Sequence, residues 1–319
     1  MAPGNAGMVL AIALALAAIA LSLLRLVTDD RRFDRWARAS SLGLFAVVTV
    51  MVVHLYHAFL TTDVSYEYVW YYTREGAPLK YRVSGALAGK AGSLLFWIWM
   101  VTIPWTVTEL SSASQRVGRR LYAWTRVALM AAALLLLYVL VLEDLFAPAS
   151  DAMLAARPGG LGLNPVLRTD LMVIHPPVVF VAYGLLVMPF AAGMARLVTG
   201  DRDWTRLSMP WSRAGWLFLT IGIALGGVWA YTTLGWGGYW AWDPVETSSL
   251  LPWLLLSGFL HAQLVHRRRG DYPLMAPLLG VFSYLLVVFA TFATRAGRLW
   301  VSVHTFDQAN PNVPAWERL

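Results

Sequence analysis

Cysteine is absent from the 319 residues, so the chain has no disulfide, no thiolate metal site and no thiol nucleophile. Charge is scarce too, since Asp, Glu, Lys and Arg make up only 13% of the chain, against about 25% in soluble domains. That scarcity excludes a disordered chain, a solvent-exposed coiled coil and a water-exposed enzyme. Acidic residues are the rarer sign, 18 against 25 basic, which leaves a net charge of +7. Such an excess suggests nucleic acid only when the basic residues share one face; here they are sorted by loop, and no nucleic-acid partner is expected. What the chain has in abundance is apolar bulk, 58% of residues with a mean hydropathy of +0.58. The expected fold class is therefore an all-α polytopic membrane protein. The 16 tryptophans exceed what lipid-facing helices need, and suggest interfacial belts together with something flat to bind.

Eight apolar stretches are long enough to cross about 30 Å of hydrocarbon at about 1.5 Å per residue. They run over 7–27, 40–60, 92–110, 121–142, 171–197, 214–234, 248–266 and 273–293. The fifth contains Pro176, Pro177 and Pro189, which a spanning helix tolerates where neighbours satisfy the freed carbonyls. Near-continuous runs rather than alternation exclude a lipid-exposed barrel. Met1 to Met8 holds no Lys or Arg, so the first stretch does not read as a cleaved signal peptide. Most basic residues fall in four regions: Arg25 to Arg38, Arg116 to Arg126, Arg196 to Arg213, and Arg267 to Arg269. The positive-inside rule places these in the cytoplasm and both termini outside. Loops 61–91, 143–170 and 235–247 and the tail 294–319 then face outward. No fixed-period repeat is present, and residues 1–319 read as one membrane domain.

Residues 235–247 read Gly-Trp-Gly-Gly-Tyr-Trp-Ala-Trp-Asp-Pro-Val-Glu-Thr. Trp236, Tyr239, Trp240 and Trp242 crowd one loop with Gly235, Gly237 and Gly238 between them. Belt aromatics are scattered singly and need no such glycines, whereas flat rings on a sharply turning backbone suit a large planar apolar ligand. Asp243, Pro244 and Glu246 read as N-cap, N1 and N3 of the seventh span, a structural role preferred over direct ligand contact.

Six histidines remain: His54, His57, His175, His261, His266 and His304. His175 and His304 fall at the outer ends of the fifth and eighth spans, level with the aromatic loop, and two such imidazoles can supply the axial ligands of a haem iron. Zinc is the weaker alternative, because no third and fourth ligand stand at short spacing. His261 lies inside the seventh span, about 20 Å below its outer end. It is expected to be buried, either hydrogen-bonded to a neighbouring helix or ligating a second haem. His266 reads as a solvated loop residue, and His54 and His57 as too far from the depth of His261 to pair with it. Arg295, just outside the eighth span, divides evenly between a propionate partner and a snorkelling interface arginine.

The segment Trp236 to Glu246 closely resembles the tryptophan-rich signature of the haem-handling proteins of cytochrome c maturation, the superfamily of CcmF, CcmC and the CcsA-type synthases. Other stretches are similar to the CcmF family in particular. These are Asn164-Pro165-Val166-Leu167, Ile174-His175-Pro176-Pro177, Tyr183-Gly184, Gly92 to Trp97, and Thr291-Phe292 through Arg295, Gly297 and Ser302-Val303-His304 to Phe306. The similarity runs in order from about residue 40 to 306. It departs from the family pattern at Tyr239 and Ala241 in the loop and at Leu87, Lys90 and Ala91 before Gly92.

The resemblance implies a bundle of about eight transmembrane helices in a prokaryotic cytoplasmic membrane, with an outward-facing Trp-rich loop. It implies haem b at that outer site, held by His175 and His304, with Trp236, Gly237, Gly238, Tyr239, Trp240, Trp242, Asp243 and Arg295 around it. It matches His261 to a ligand of a second, membrane-embedded b-type haem. The implied activity is that of a haem lyase subunit working with partner subunits. Its implied partners are a haem chaperone of the CcmE type, apocytochrome c with its Cys-x-x-Cys-His segment, and an apocytochrome-presenting subunit of the CcmH type. Typical CcmF proteins are about twice this long, and their later half supplies the partner of the His261 counterpart. A second membrane subunit is then expected to bring that ligand, or the inner haem is absent or differently ligated. A haem carrier that presents haem to a chaperone without forming thioether bonds is the alternative reading. A non-haem transporter is disfavoured, because the span interiors hold almost no charge.

Overall fold

The computed structural model describes residues 3–28, 30–112, 116–233 and 237–295. Those residues form helices, with no strand beyond an isolated bridge between Tyr66 and Pro148. In chain order they are α1 (Pro3–Val27), α2 (Arg31–Thr61), α3 (Glu67–Tyr72), α4 (Leu79–Gly85), α5 (Lys90–Leu110), α6 (Arg119–Leu142), α7 (Asp151–Ala156), α8 (Asp170–Leu185), α9 (Val187–Thr199), α10 (Trp204–Thr233), α11 (Pro244–Arg269) and α12 (Met275–Arg295). Eight candidate spans result, with α8 and α9 sharing one of them.

Three spans differ most from the sequence expectation: α2, the fifth, and α10, which begins at Trp204 rather than near residue 214. α2 begins at Arg31 rather than near residue 40, because Asp30 caps it by accepting from Arg32 N at 2.8 Å and the arginine-rich stretch is helical. The fifth span breaks at Leu186. Pro189 has no N–H to donate to the carbonyl four residues back, so the helix restarts at Val187, two residues before it.

α5 is the innermost span, and α2, α6 and α8 pack around it. α9 lies between α6 and α12, α10 lies on α8, and α11 lies on α12. One apolar core runs through the bundle from Met8 to Ala290, with Trp97 and Trp105 fully buried within it. A second, small cluster of Trp70, Met153 and Leu161 holds together a cap at one end. There the two long loops fold onto each other: Glu67 N donates to Ala147 O at 3.0 Å and Trp70 Nε1 to Arg157 O at 2.8 Å. Tyr68 fastens this cap to the start of α5, donating to Ala86 O at 3.2 Å and accepting from Gly89 N at 3.0 Å. Burial pushes its hydroxyl pKa well above the ordinary range, so it stays neutral. Lys80 of α4 reaches Asp170 at the start of α8 at 2.6 Å, a hydrogen bond that raises its pKa.

The opposite end carries the arginines and a buried ionic network. Arg126 of α6 is 1% exposed and donates to Glu109 of α5 at 2.8 Å and to Asp34 of α2 at 3.0 Å. Its guanidinium also lies over the Trp105 and Tyr122 rings and reaches Ser22 of α1.

Candidate functional site

At the capped end, α8, α10, α11 and α12 enclose a cavity of about 280 Å³. Its walls are mainly apolar; besides the hydroxyl-bearing Tyr72, Tyr183, Ser249, Thr291 and Thr294, the polar residues among them are Asn164, His175, Glu246, Arg295 and the indoles of Trp229 and Trp240. A large apolar cavity with a few convergent polar groups is the usual form of a small-molecule or cofactor site.

His175 stands in the second turn of α8. Its Nδ1 lies 3.0 Å from Gly222 O on α10. A carbonyl only accepts, so Nδ1 carries the proton, and in the neutral ring Nε2 holds the lone pair that binds metals. The approach depends on glycine, since a Cβ at Gly226 would stand 3.0 Å from His175 Cε1. Trp229, one turn further along α10, meets the imidazole edge-on with ring centroids 5.7 Å apart.

The aromatic loop divides. Gly237 takes φ 74°, in open space, and turns the chain. Trp240 lines the cavity, whereas Trp242 is 71% exposed and stands edge-on to Trp240 at 84°. Tyr239 is exposed and stacks on Tyr231 of α10 at 4.5 Å. Trp240 and Trp242 therefore do not share one flat face: Trp240 turns in to the cavity, while the left-handed backbone at Trp242 turns its ring out. Trp242 itself has φ 59°, a left-handed conformation that costs about 1–3 kcal/mol in a bulky residue. The cap holds it there. Asp243 accepts from Val245 N at 2.8 Å, and Glu246 reaches back to Ala241 N at 2.9 Å, two residues before the N-cap N–H that the sequence pattern implied. Gly238 follows the turn without lining the cavity.

Arg295 is the last residue of α12 rather than a residue beyond it, and it donates to Ser93 at 2.7 Å and Thr291 O at 3.2 Å while lining the cavity. Ser93, Trp229 and Glu246 were not among the expected site residues. The glycines facing His175 from α10 were the available signal for Trp229. Trp236 and His304 lie outside the described residues.

Two histidine expectations are corrected. His261 is not buried; its side chain is exposed on the outer face of α11 and makes no hydrogen bond or ring contact among the described residues. The helical phase of α11 turns Phe259, Ala262 and Gln263 inward and leaves His261 outside. His266 is the buried one, 3% exposed, with Nδ1 2.8 Å from Asp271 O and its ring tilted against Trp204. His54 pairs with the Tyr66 hydroxyl at 3.1 Å under the cap, and His57 is exposed.

A planar apolar ligand that carries hydrogen-bond acceptors suits this lining. The buried N–H groups of Trp229 and Trp240 find no acceptor among the described residues, and both lie on the cavity that His175 and Arg295 share. Among the described residues no cluster of three or more metal-binding side chains exists.

Residues 87–298 match the family model described as "Cytochrome C assembly protein". The chain is 33% identical over 305 residues to the cytochrome c-type biogenesis protein CcmF of Haemophilus influenzae, covering 95% of this chain and 46% of that protein. It is 32% identical to the cytochrome c-type biogenesis protein ccl1 of Rhodobacter capsulatus, with the same coverage. Among solved structures it is similar to one titled "Cytochrome c Heme Lyase CcmF", with a TM-score of 0.77 and 27% identity over 93% of this chain and 47% of that one. The chain thus spans about half the length of the relatives it matches.

Proposed function

Because this chain belongs to the cytochrome C assembly protein family, we propose that it works in c-type cytochrome biogenesis and binds haem b in the cavity at the capped end. His175 is one axial ligand and His304 the other, and Arg295 pairs a propionate. Trp229 and Trp240 supply ring contacts and the two indole donors. The capped end faces the extracytoplasmic side, the arginine-rich end the cytoplasm, and 1–319 acts as one membrane domain. Haem brings the intrinsic reactivity: the thiols of a Cys-x-x-Cys-His segment add across its vinyl groups, each forming an S–C bond while the thiol proton goes to the other vinyl carbon. The residues of this chain hold the iron in a fixed tautomeric environment, orient the ring and exclude water from it. A CcmE-type haem chaperone, apocytochrome c and a CcmH-type subunit are its partners in covalent attachment. A second membrane subunit completes an inner b-type haem at His261.

The observation that carries this reading is the Nδ1 contact of His175 with Gly222 O, which sets the metal-binding tautomer at the wall of a cavity shared with Trp240 and Arg295. The test is haem content and absorption of the purified chain and of His175→Gly, each with and without added imidazole. Haem retention is expected to fall in the variant and to recover with imidazole. Equal haem content in both proteins would overturn the assignment.

A further inference from the structure

At the end opposite the haem cavity, α10, α11 and the segment before α6 enclose a second cavity of about 350 Å³, which has no part in the function above. Arg116, Arg206, Arg213 and Arg267 line it, over an apolar floor that includes Leu207 and Pro210. Arg206 is paired with Asp203 at 2.8 Å. For Arg116, Arg213 and Arg267, no carboxylate lies within 4.0 Å among the described residues. Three guanidinium groups around one cavity repel one another, and an anion placed among them relieves that repulsion while accepting bidentate hydrogen bonds.

The helix that carries the cavity indicates what kind of anion fits. α10 has 30 residues and is about 45 Å long, whereas the hydrocarbon layer is about 30 Å thick. Its first turns therefore stand at headgroup level. Arg206, Pro210 and Arg213 fall on one stripe of this helix at intervals of four and three, and the stripe continues into the span with Leu217 and Ile221, both exposed. Cationic side chains at the interface thus pass directly into an apolar track along the same face. We infer that this cleft binds an anionic phospholipid, its phosphate among the arginines and an acyl chain along Leu217 and Ile221. Free phosphate would meet the same arginines but would leave the track unused.

The full chain in detergent is titrated by calorimetry with short-chain phosphatidylglycerol, short-chain phosphatidylcholine and inorganic phosphate. Phosphatidylglycerol is expected to bind at least tenfold more tightly than either of the others. In R116Q/R213Q/R267Q its affinity should fall about a hundredfold, at about fivefold per arginine. R31Q/R32Q, which removes charge elsewhere at the same end, should bind like the wild type. Phosphate binding as tightly as the anionic lipid would make this a free-anion site and overturn the lipid assignment. Equal binding of phosphatidylcholine, or an equal loss in R31Q/R32Q, would also overturn it. Should the triple variant not fold, Arg213→Gln alone is expected to lose about fivefold, and an unchanged affinity there would overturn the proposal.

Discussion

The Gly222 carbonyl decides which nitrogen of His175 carries the proton, and the bare flank of Gly226 decides whether the ring can stand there at all. Gly226→Val would place a branched side chain against a ring already 3.0 Å from its Cβ. We expect this variant to lose haem while keeping its helical circular dichroism; retained haem would show that the ring has room to shift. The tryptophans give a sharper contrast. Trp240→Ala removes a cavity wall and is expected to weaken haem binding about tenfold or more, whereas Trp242→Ala removes an exposed ring and should change it less than twofold. Haem titration of both proteins decides this, and the reverse order would make Trp242 the contact. The sequence made His175, Trp240 and Arg295 legible because each stands in a distinctive segment at a span end. It did not separate Trp240 from Trp242, because which side of an irregular loop a ring takes depends on its neighbours. Here those are Tyr231, on which Tyr239 stacks, and the Glu246 carboxylate that holds Ala241 N.

Helix ends were the most legible elements. Asp243-Pro244-x-Glu246 is a starting pattern in any sequence, and Asp243 does cap α11. Since the same cap holds the loop with Trp242 at φ 59°, Asp243→Ala is expected to cost about 1 kcal/mol in denaturant unfolding and to weaken haem binding together with it. A stability loss without any change in haem affinity would show that the loop keeps its shape without the cap. Less legible was the break at Leu186, because Pro189 was visible but a proline in a span can kink, break or be absorbed, depending on which neighbours take up the freed carbonyls. The short helices α3, α4 and α7 of the cap were read as plain loop. They have six or seven residues each, too few for periodicity to show, and long-range hydrogen bonds such as that from Trp70 to Arg157 O hold them in place.

At the scale of the whole molecule, eight spans and their alternation follow from apolar length alone, but which face of each span meets another helix does not, as two clusters make plain. Arg126 counts among the loop arginines in the sequence, yet it is buried against Glu109 across the helices that build the arginine-rich end. Removing Glu109 leaves the buried Arg126 with only the half-exposed Asp34, so Glu109→Leu alone is expected to cost up to about 3 kcal/mol, and Arg126→Leu with Glu109→Leu less. Denaturant unfolding of both variants checks this, and a double variant worse than the single one would mean that the charges do more than neutralise each other. His261 is the opposite case. Expected inside, it faces outward on α11, about 12 Å from the arginine-rich end by helical rise. An imidazole on the apolar face of a span is costly unless something polar or metallic meets it there. In this chain alone His261→Ala should therefore leave stability within about 0.5 kcal/mol and the cavity haem unchanged, as for any exposed position. Coexpressed with a second membrane subunit that carries a histidine at matching depth, the wild type should gain an additional six-coordinate b-type signal in the reduced-minus-oxidised spectrum, and His261→Ala should not. The same signal from the lone wild-type chain, lost in His261→Ala, would mean that the second ligand comes from this chain or from a second copy of it, and the two-subunit haem would be wrong.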